Sequence, residues 1–411
     1  MRLNKKSLLL GMIVLLLSCI VGSSAKNSSF LENVQASMVQ ENDSGQSQDQ
    51  PAIGVSALGY CVMNADTGEI VLQKNADEKL HPASITKIMT LLLTFEALKA
   101  GKVSLTDDVI TSEYASSMGG SQVFLAQGEI QTLETMIKCI AVASGNDASV
   151  AVAEHIAGSE QAFVDLMNAK AAELGMTETH FEDCCGLSDS DNHYSCARDV
   201  AIMSRELTVN YPEVFDYTTI WMEDIVHETR QGTSKFTLNS TNKLLKQYQY
   251  ATGLKTGSTS KAKFCVSATA KKDDIELIAV IMAAPDSKTR FKDATTLLNR
   301  GFATCSKYTD TKPISLKPIT VKGGVKEEVS VMPQSTFTYV DTTGANLSQV
   351  ERKIEQEKEV KAPALKGTEV GRIVYTLDGR EIGSVPIVTE EKVIKMDLKH
   401  AAIKTFKTFL L

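Results

Sequence analysis

The chain has 411 residues, of which 43% are hydrophobic and 23% charged, and its formal net charge is −7. That length allows two cored domains with tails. The acidic balance excludes nucleic acid as the main partner, since no basic excess is available to neutralise phosphates. At the start, Arg2, Lys5 and Lys6 precede an apolar run from Leu8 to Val21, and Ser23-Ser24-Ala25 follows. This order predicts a signal peptide over 1–25 and an exported protein. The run, about 14 residues, is short of the roughly 20 that a spanning helix needs. An uncleaved anchor and lipidation at Cys19 are the alternative readings. Loss of 1–25 removes three positive charges and no acid, leaving about −10 on the mature chain. Residues 26–52, rich in Ser, Gln, Asn and Asp, predict a disordered linker.

From residue 53 the pattern is that of a folded domain reaching to 308. Ala57 to Met63 and Glu69 to Gln73 flank the turn-rich Asn64–Gly68 and predict a β-hairpin. Pro82, Ser84 and the apolar stretch Ile85 to Leu98, stopping near Gly101, predict a buried helix. Further helices are predicted over Thr132–Val142, Asp147–Ile156, Gln161–Leu174 and Lys288–Phe302. Phe264–Ala270 and Ile275–Ala283 predict two antiparallel strands joined by the polar Lys271–Asp274. The mixture predicts an α/β (α+β) domain, an antiparallel sheet flanked by helices. Between 309 and 394 short alternating segments (Ile314–Leu316, Val329–Met332, Thr336–Val340, Val350–Ile354, Gly371–Tyr375) predict a small all-β domain. Residues 395–411 place Leu398, Ala402, Ile403, Phe406, Phe409 and Leu410 on one helical stripe, with most lysines opposite. This predicts an amphipathic helix lying on a membrane surface; docking on the protein's own surface is the alternative.

Seven cysteines remain beyond Cys19, so at least one is unpaired in a monomer. Cys184, Cys185, His193 and Cys196 lie close in sequence, but their spacing fits no standard zinc pattern. Buried thiols or one disulfide is the expectation, with no metal and no cofactor. His155 reads as a buried structural histidine, and Trp221, Glu223 and Asp224 as a solvated edge. No His-Glu-x-x-His pattern is present.

Three segments carry chemistry: Ser84-Ile85-Thr86-Lys87, Ser144-Gly145-Asn146 and Lys255-Thr256-Gly257. Each alone is weak; in this order, in helix, loop and strand settings, they are the signature of penicillin-binding proteins and serine β-lactamases. Ser84 at a helix start puts Lys87 one turn on, on the same face. A serine needs a base to become a nucleophile. Lys87 serves once burial and a second cation, Lys255, lower its pKa. Ser144 is predicted to relay a proton and Asn146 to hold the substrate amide. Lys255 and Thr256 are predicted to bind a terminal carboxylate. The amides of Ser84 and Ser258 are the candidate oxyanion donors. Gly257, lacking a side chain, is expected to let substrate lie against its strand.

The chain resembles the low-molecular-mass D-alanyl-D-alanine carboxypeptidases, penicillin-binding serine peptidases of bacterial envelopes. Beyond the three motifs, the resemblance rests on Gly186-Leu187, Asn192-His193-Tyr194-Ser195, Ala197-Arg198-Asp199, Asn242-Lys243-Leu244-Leu245, Ala284-Pro285, Arg290-Phe291, Gly301-Phe302 and Gly379–Pro386. It implies a β-lactamase/transpeptidase-like fold and attack by Ser84 on the peptide bond between two terminal D-alanines of a peptidoglycan stem peptide. It also implies acylation by β-lactam antibiotics, no cofactor, and a place on the extracytoplasmic face of the cytoplasmic membrane or in the cell wall. Thr241 stands where some relatives have arginine, which puts more of carboxylate recognition on Lys255 and Thr256. A class A β-lactamase would need a deacylating glutamate in a Glu-x-x-Leu-Asn setting, and none lies between Asp147 and Thr219. A D,D-endopeptidase with the same residues stays open. A non-catalytic wall scaffold would be expected to lack a motif residue.

Overall fold

The computed structural model describes residues 54–229 and 232–409; the predicted signal peptide and linker lie outside the described residues. Five antiparallel strands make the main sheet: β1 (Gly59–Asn64), β2 (Ile70–Lys74), β3 (Ala251–Thr259), β4 (Lys263–Lys272) and β5 (Ile275–Ala284), in the order β2-β1-β5-β4-β3. The central β5 is almost wholly apolar because both its faces are covered. Its even-numbered Ile278, Val280 and Met282 join the main helical core. Leu277, on the other face, lies against the closing helix, where a Cβ on Gly301 would collide with it. The link between β4 and β5 is two residues, shorter than the polar run suggests. Asp273 and Asp274 both take positive φ, 50° and 60°, the left-handed pair that a tight hairpin turn demands.

Ser84 sits in a 3₁₀ turn, Ala83–Thr86, running straight into α1 (Lys87–Lys99). Ile88, Met89, Leu91, Leu92, Leu93 and Phe95 are all buried, so α1 is enclosed on nearly every side. Around it stand α2 (Leu133–Ala141), α3 (Asn146–Ala157), α4 (Glu160–Glu173) and α5 (Ala197–Asn210), with α6 (Ser287–Thr304) on the opposite face of the sheet. The caps follow the sequence: Thr132, Ser159 and Asp286 each accept first-turn amides. The helix α5 escaped the sequence reading because its N-cap is Cys196, whose Sγ accepts the Asp199 amide at 3.4 Å. The antiparallel pair Met222–Thr229 and Gly232–Asn239 was missed as well. Most of its side chains are exposed; Asp224 faces outward as expected, whereas Glu223, on the other face of the strand, is half-buried and accepts from Lys138 Nζ at 2.7 Å.

From Ser306 to Thr389 the chain is built of strands, apart from one 3₁₀ turn at Leu347–Gln349. Val331–Pro333, Arg380–Thr389, Glu369–Leu377 and Glu351–Gln356 form one sheet; Glu328–Val329, Ile319–Lys322 and Glu359–Lys361 form another. They enclose a separate core of Ile319, Val321, Val360, Ile373, Tyr375 and Ile387. Phe337 stacks on Tyr375 there, with ring centroids 3.8 Å apart. Ile314–Leu316 is not a strand; its residues merely pack on that core. The terminal helix, Leu398–Phe409, is present. Leu398 and Phe406 are 91% and 73% exposed, so the protein's own surface does not cover them. No helix among the described residues is long and apolar enough to cross a membrane.

All seven cysteines beyond Cys19 are free and buried, which rules out the disulfide alternative among the described residues. His193 faces Thr86 (Nε2···Oγ1, 2.9 Å) and accepts the Glu182 amide at Nδ1. That ring is therefore a neutral tautomer donating to Thr86. His155 is not a core residue; it lies at the surface 3.6 Å from Asp107.

Candidate active site

Lys87 is fully buried at the start of α1, and its Nζ has three neighbours: Ser84 Oγ at 3.2 Å, Asn146 Oδ1 at 2.6 Å and the Cys185 carbonyl at 2.7 Å. Two of these are carbonyl oxygens, which can only accept. A neutral amine has two N–H groups and one lone pair. In the neutral form the two short contacts consume the N–H groups and leave the lone pair for the Ser84 hydroxyl; in the ammonium form all three neighbours accept, Ser84 included. Burial pushes the Lys87 pKa below the usual lysine range, against the pull of nearby acids that include Asp183 and Asp147. The predicted nucleophile and base are therefore adjacent, with Asn146 in the same network.

Lys255 reaches the same region from β3, an edge strand of the sheet. Burial drives its pKa well below the ordinary value, and repulsion from Lys87 and then Arg290 drives it further. Its Nζ donates to the Thr256 carbonyl at 3.2 Å. The Thr256 hydroxyl donates to Thr241 Oγ1 at 2.8 Å. Ser258 is exposed one residue beyond Gly257. The role expected of Gly257 needs correction. A Cβ there would lie 2.8 Å from the Pro82 carbonyl and 2.9 Å from the amides of Ser84 and Ile85. The space beside Gly257 is thus filled by the nucleophile's own turn, which is why a side chain cannot stand there. The Gly257 carbonyl in turn accepts from Arg290 Nη1 at 3.0 Å.

The loop before α3 is fixed from inside. Ser144 adopts φ 64°, and its hydroxyl is buried with no hydrogen-bond partner among the described residues. Orphaned buried hydroxyls are rare and concentrate where function needs them. Asn146 Nδ2 donates to the Gly119 carbonyl, and the Asn146 amide to Ser121. The buried Asp147 carboxylate accepts the amides of Val123 and Leu125. The 119–125 segment and the Ser144–Asn146 loop are therefore held as one piece.

Sequence reasoning missed the Cys185 carbonyl, because a main-chain acceptor leaves no mark on residue identity. It is delivered by Asp183, whose carboxylate gathers the amides of Cys185, Gly186, Leu187 and Ser188; an Asp opening a Cys-Cys-Gly run was the available signal. Thr241 and Arg290 were noted only as parts of the resemblance.

The model of the D-alanyl-D-alanine carboxypeptidase family matches residues 44–286. The chain belongs to that family. It is accordingly a serine-type carboxypeptidase with a β-lactamase-like catalytic fold. Residues 308–395 match a second model, the C-terminal domain of penicillin-binding protein 5. The D-alanyl-D-alanine carboxypeptidase DacF of Bacillus subtilis is 40% identical over 355 residues, 85% of this chain and 88% of that protein. DacC of Escherichia coli is 33% identical over 351 residues, 83% and 85% of the two chains. Among solved structures, penicillin binding protein 5 of Haemophilus influenzae is similar with a TM-score of 0.65 at 30% identity, covering 83% of this chain and 98% of that one. A peptidoglycan synthesis regulatory factor (PBP3) of Streptococcus pneumoniae gives 0.67 at 26% identity, covering 82% and 99%.

Proposed function

We propose that the D-Ala-D-Ala carboxypeptidase reaction of this chain runs through an acyl-enzyme on Ser84, with Lys87 as its base. The observation that carries this is the buried Lys87 amine, 3.2 Å from Ser84 Oγ and anchored by the Asn146 and Cys185 carbonyls, an arrangement in which the neutral amine has its lone pair left for Ser84. Lys87 takes the hydroxyl proton as Ser84 Oγ attacks the carbonyl between the two terminal D-alanines of a peptidoglycan stem peptide. The oxyanion is held by the amides of Ser84 and Ser258. The C–N bond breaks as the proton passes, by way of Ser144, to the departing D-alanine amine. Water then cleaves the ester and restores Ser84. Lys255 and Thr256 hold the terminal carboxylate, and Asn146 orients the substrate amide. A β-lactam presents a similar carbonyl and carboxylate and acylates the same oxygen.

In this reading the mature protein is exported and works outside the cytoplasmic membrane. Residues 53–308 carry the chemistry, 309–394 form a β module, and the helix of 395–411 lies on the membrane surface. The exposed Leu398, Ile403 and Phe406 support that last role. The test is release of D-alanine from a pentapeptide by purified protein, with labelling by fluorescent penicillin alongside. Ser84→Ala abolishes both; label that persists in Ser84→Ala would reject the nucleophile.

A further inference from the structure

Cys184, Cys185, His193 and Cys196 are close in sequence, and the structure divides them. His193 turns to Thr86 and Cys196 caps α5. Cys184 and Cys185 stay together, both fully buried, and a residue from another element joins them. A carboxylate oxygen of Glu160, one of Asp183 and the Cys185 Sγ all lie within 4.8 Å of one another. The Cys184 thiol interacts through its side chain with both Cys185 and Glu160. Adjacent residues of a strand would send their side chains to opposite faces. Here the amides gathered by Asp183 bend the chain, so both thiols reach the same carboxylate.

The two acids differ in what they have left to give. Asp183 accepts four amides, which fills its lone pairs. Glu160, at the start of α4, accepts the Cys184 amide at Oε1 (3.1 Å) and the Tyr114 hydroxyl at Oε2 (2.7 Å), and each oxygen keeps a second lone pair. Tyr114 is 52% exposed, so the Glu160 side is the way in from solvent. Two sulfurs and a carboxylate suit a zinc-type dication, whereas magnesium prefers oxygen alone. The thiols release two protons as the dication arrives, so the net charge beside Lys87 does not change.

The same two residues hold α1. The Cys185 carbonyl accepts from Lys87 Nζ, and the Cys184 carbonyl from Thr90. Sulfur and oxygen ligands of one tetrahedral zinc stand about 3.6–3.8 Å apart, so Cys185 and Glu160 must draw together by up to about 1 Å to share the ion. The Cys185 main chain moves with its sulfur. We propose that Cys184, Cys185 and Glu160 bind a zinc-type dication, and that its binding displaces the Cys185 carbonyl and slows the enzyme through Lys87. The ion takes no part in the reaction. Its effect on rate rests on the Lys87 reading above; its binding does not.

The experiment titrates zinc chloride into the purified protein against a chromogenic chelator, and cadmium chloride while the sulfur-to-metal charge-transfer absorption is followed. One ion binds per chain, and D-alanine release falls by about 10²-fold at saturation, as a misplacement of about 1 Å costs. EDTA restores the rate, and magnesium chloride has no effect. Cys184→Ser halves the cadmium absorption and Glu160→Gln keeps it, while both bind zinc at least about 10-fold more weakly. Each, measured against its own metal-free rate, escapes inhibition at the zinc concentration that just saturates the parent. Cys305→Ser, beyond the end of α6, binds as the parent does. Failure of the parent to bind one ion per chain, zinc affinity undiminished in both variants, or full D-alanine release by the zinc-saturated parent overturns the proposal. Penicillin labelling of the parent and Ser84→Ala in metal-free buffer tests the nucleophile separately, so failure of one reading is not mistaken for failure of the other.

Discussion

Replacing Gly257 by alanine adds one carbon at the point where β3 touches the nucleophile's turn. That carbon would meet only backbone: the Pro82 carbonyl at 2.8 Å and the amides of Ser84 and Ile85 at 2.9 Å. No side chain can swing aside, so strand or turn must withdraw by about half an ångström to regain ordinary contact. The strand is tied by the Arg290 bond to the Gly257 carbonyl and by its pairing with β4. The turn is tied from below, where Gly186 comes so close to Ala83 that a Cβ there would lie 1.9 Å from the Ala83 carbonyl. Overpacking of this kind costs about 1–3 kcal/mol of stability. The catalytic cost is larger, since the added methyl crowds the Ser84 amide, and losing one oxyanion donor costs about 10²–10³ in kcat. Urea unfolding gives the first quantity, and initial rates of D-alanine release give the second. Gly257→Ala is expected to lose kcat far more than it raises KM. Normal stability together with kcat within twofold of the parent would show that sheet edge and turn part freely, and that the close fit has no bearing on catalysis.

Two of the further outcomes concern buried groups and one the exposed terminal helix. Lys87 must be neutral to act, so kcat/KM rises with pH through its depressed pKa. The same depression means that, between that value and about 10.4, the unfolded chain binds more protons than the native one, so the Lys87 contribution to stability rises with pH, by at most about 1.4 kcal/mol per unit. The buried thiols act oppositely above about 8.5, being held up in the native state, to about 12 at Cys61. The lysine is therefore read as the difference in urea midpoint between the parent and Lys87→Met, and a difference that does not grow with pH contradicts a depressed pKa. Asp147→Ala strands the amides of Val123 and Leu125; it should lose about 2–3 kcal/mol and lower kcat/KM through Asn146, whereas loss of stability with full activity would separate the two loops. Removal of residues 398–411 should abolish sedimentation with anionic vesicles while leaving D-alanine release in solution within twofold; binding that survives truncation rejects the helix as the anchor.

How far the sequence was legible depended on what kind of atom does the work. Ser84, Lys87 and Asn146 announce themselves because their side chains are the proposed functional groups and their spacing is set by a helix turn and a loop. The third partner of Lys87 is the Cys185 carbonyl, and any residue at 185 could supply it; only Asp183, which bends the chain there, leaves a trace. Gly257 was noticed for a sound reason, its missing side chain, but the local sequence cannot say what fills the gap, because the Pro82–Ile85 turn arrives from more than 170 positions away. Helix α5 hid behind a cysteine cap, and the exposed hairpin of 222–239 behind side chains that alternate too weakly to show a period of two.

The same distinction explains why the two lysines must be considered together. Burial lowers the pKa of each, and a neutral Lys255 would be a poor carboxylate ligand. Their mutual repulsion, with Arg290 also bearing on Lys255, means that the site resists carrying both charges at once. A substrate carboxylate arriving at Lys255 favours the charged form there. The carboxylate brings its own negative charge, so the bound pair adds little net charge beside Lys87, whose depressed pKa comes from burial. A peptide amide lacking the terminal carboxylate should accordingly lose affinity at Lys255 while the Ser84–Lys87 pair is left as it was.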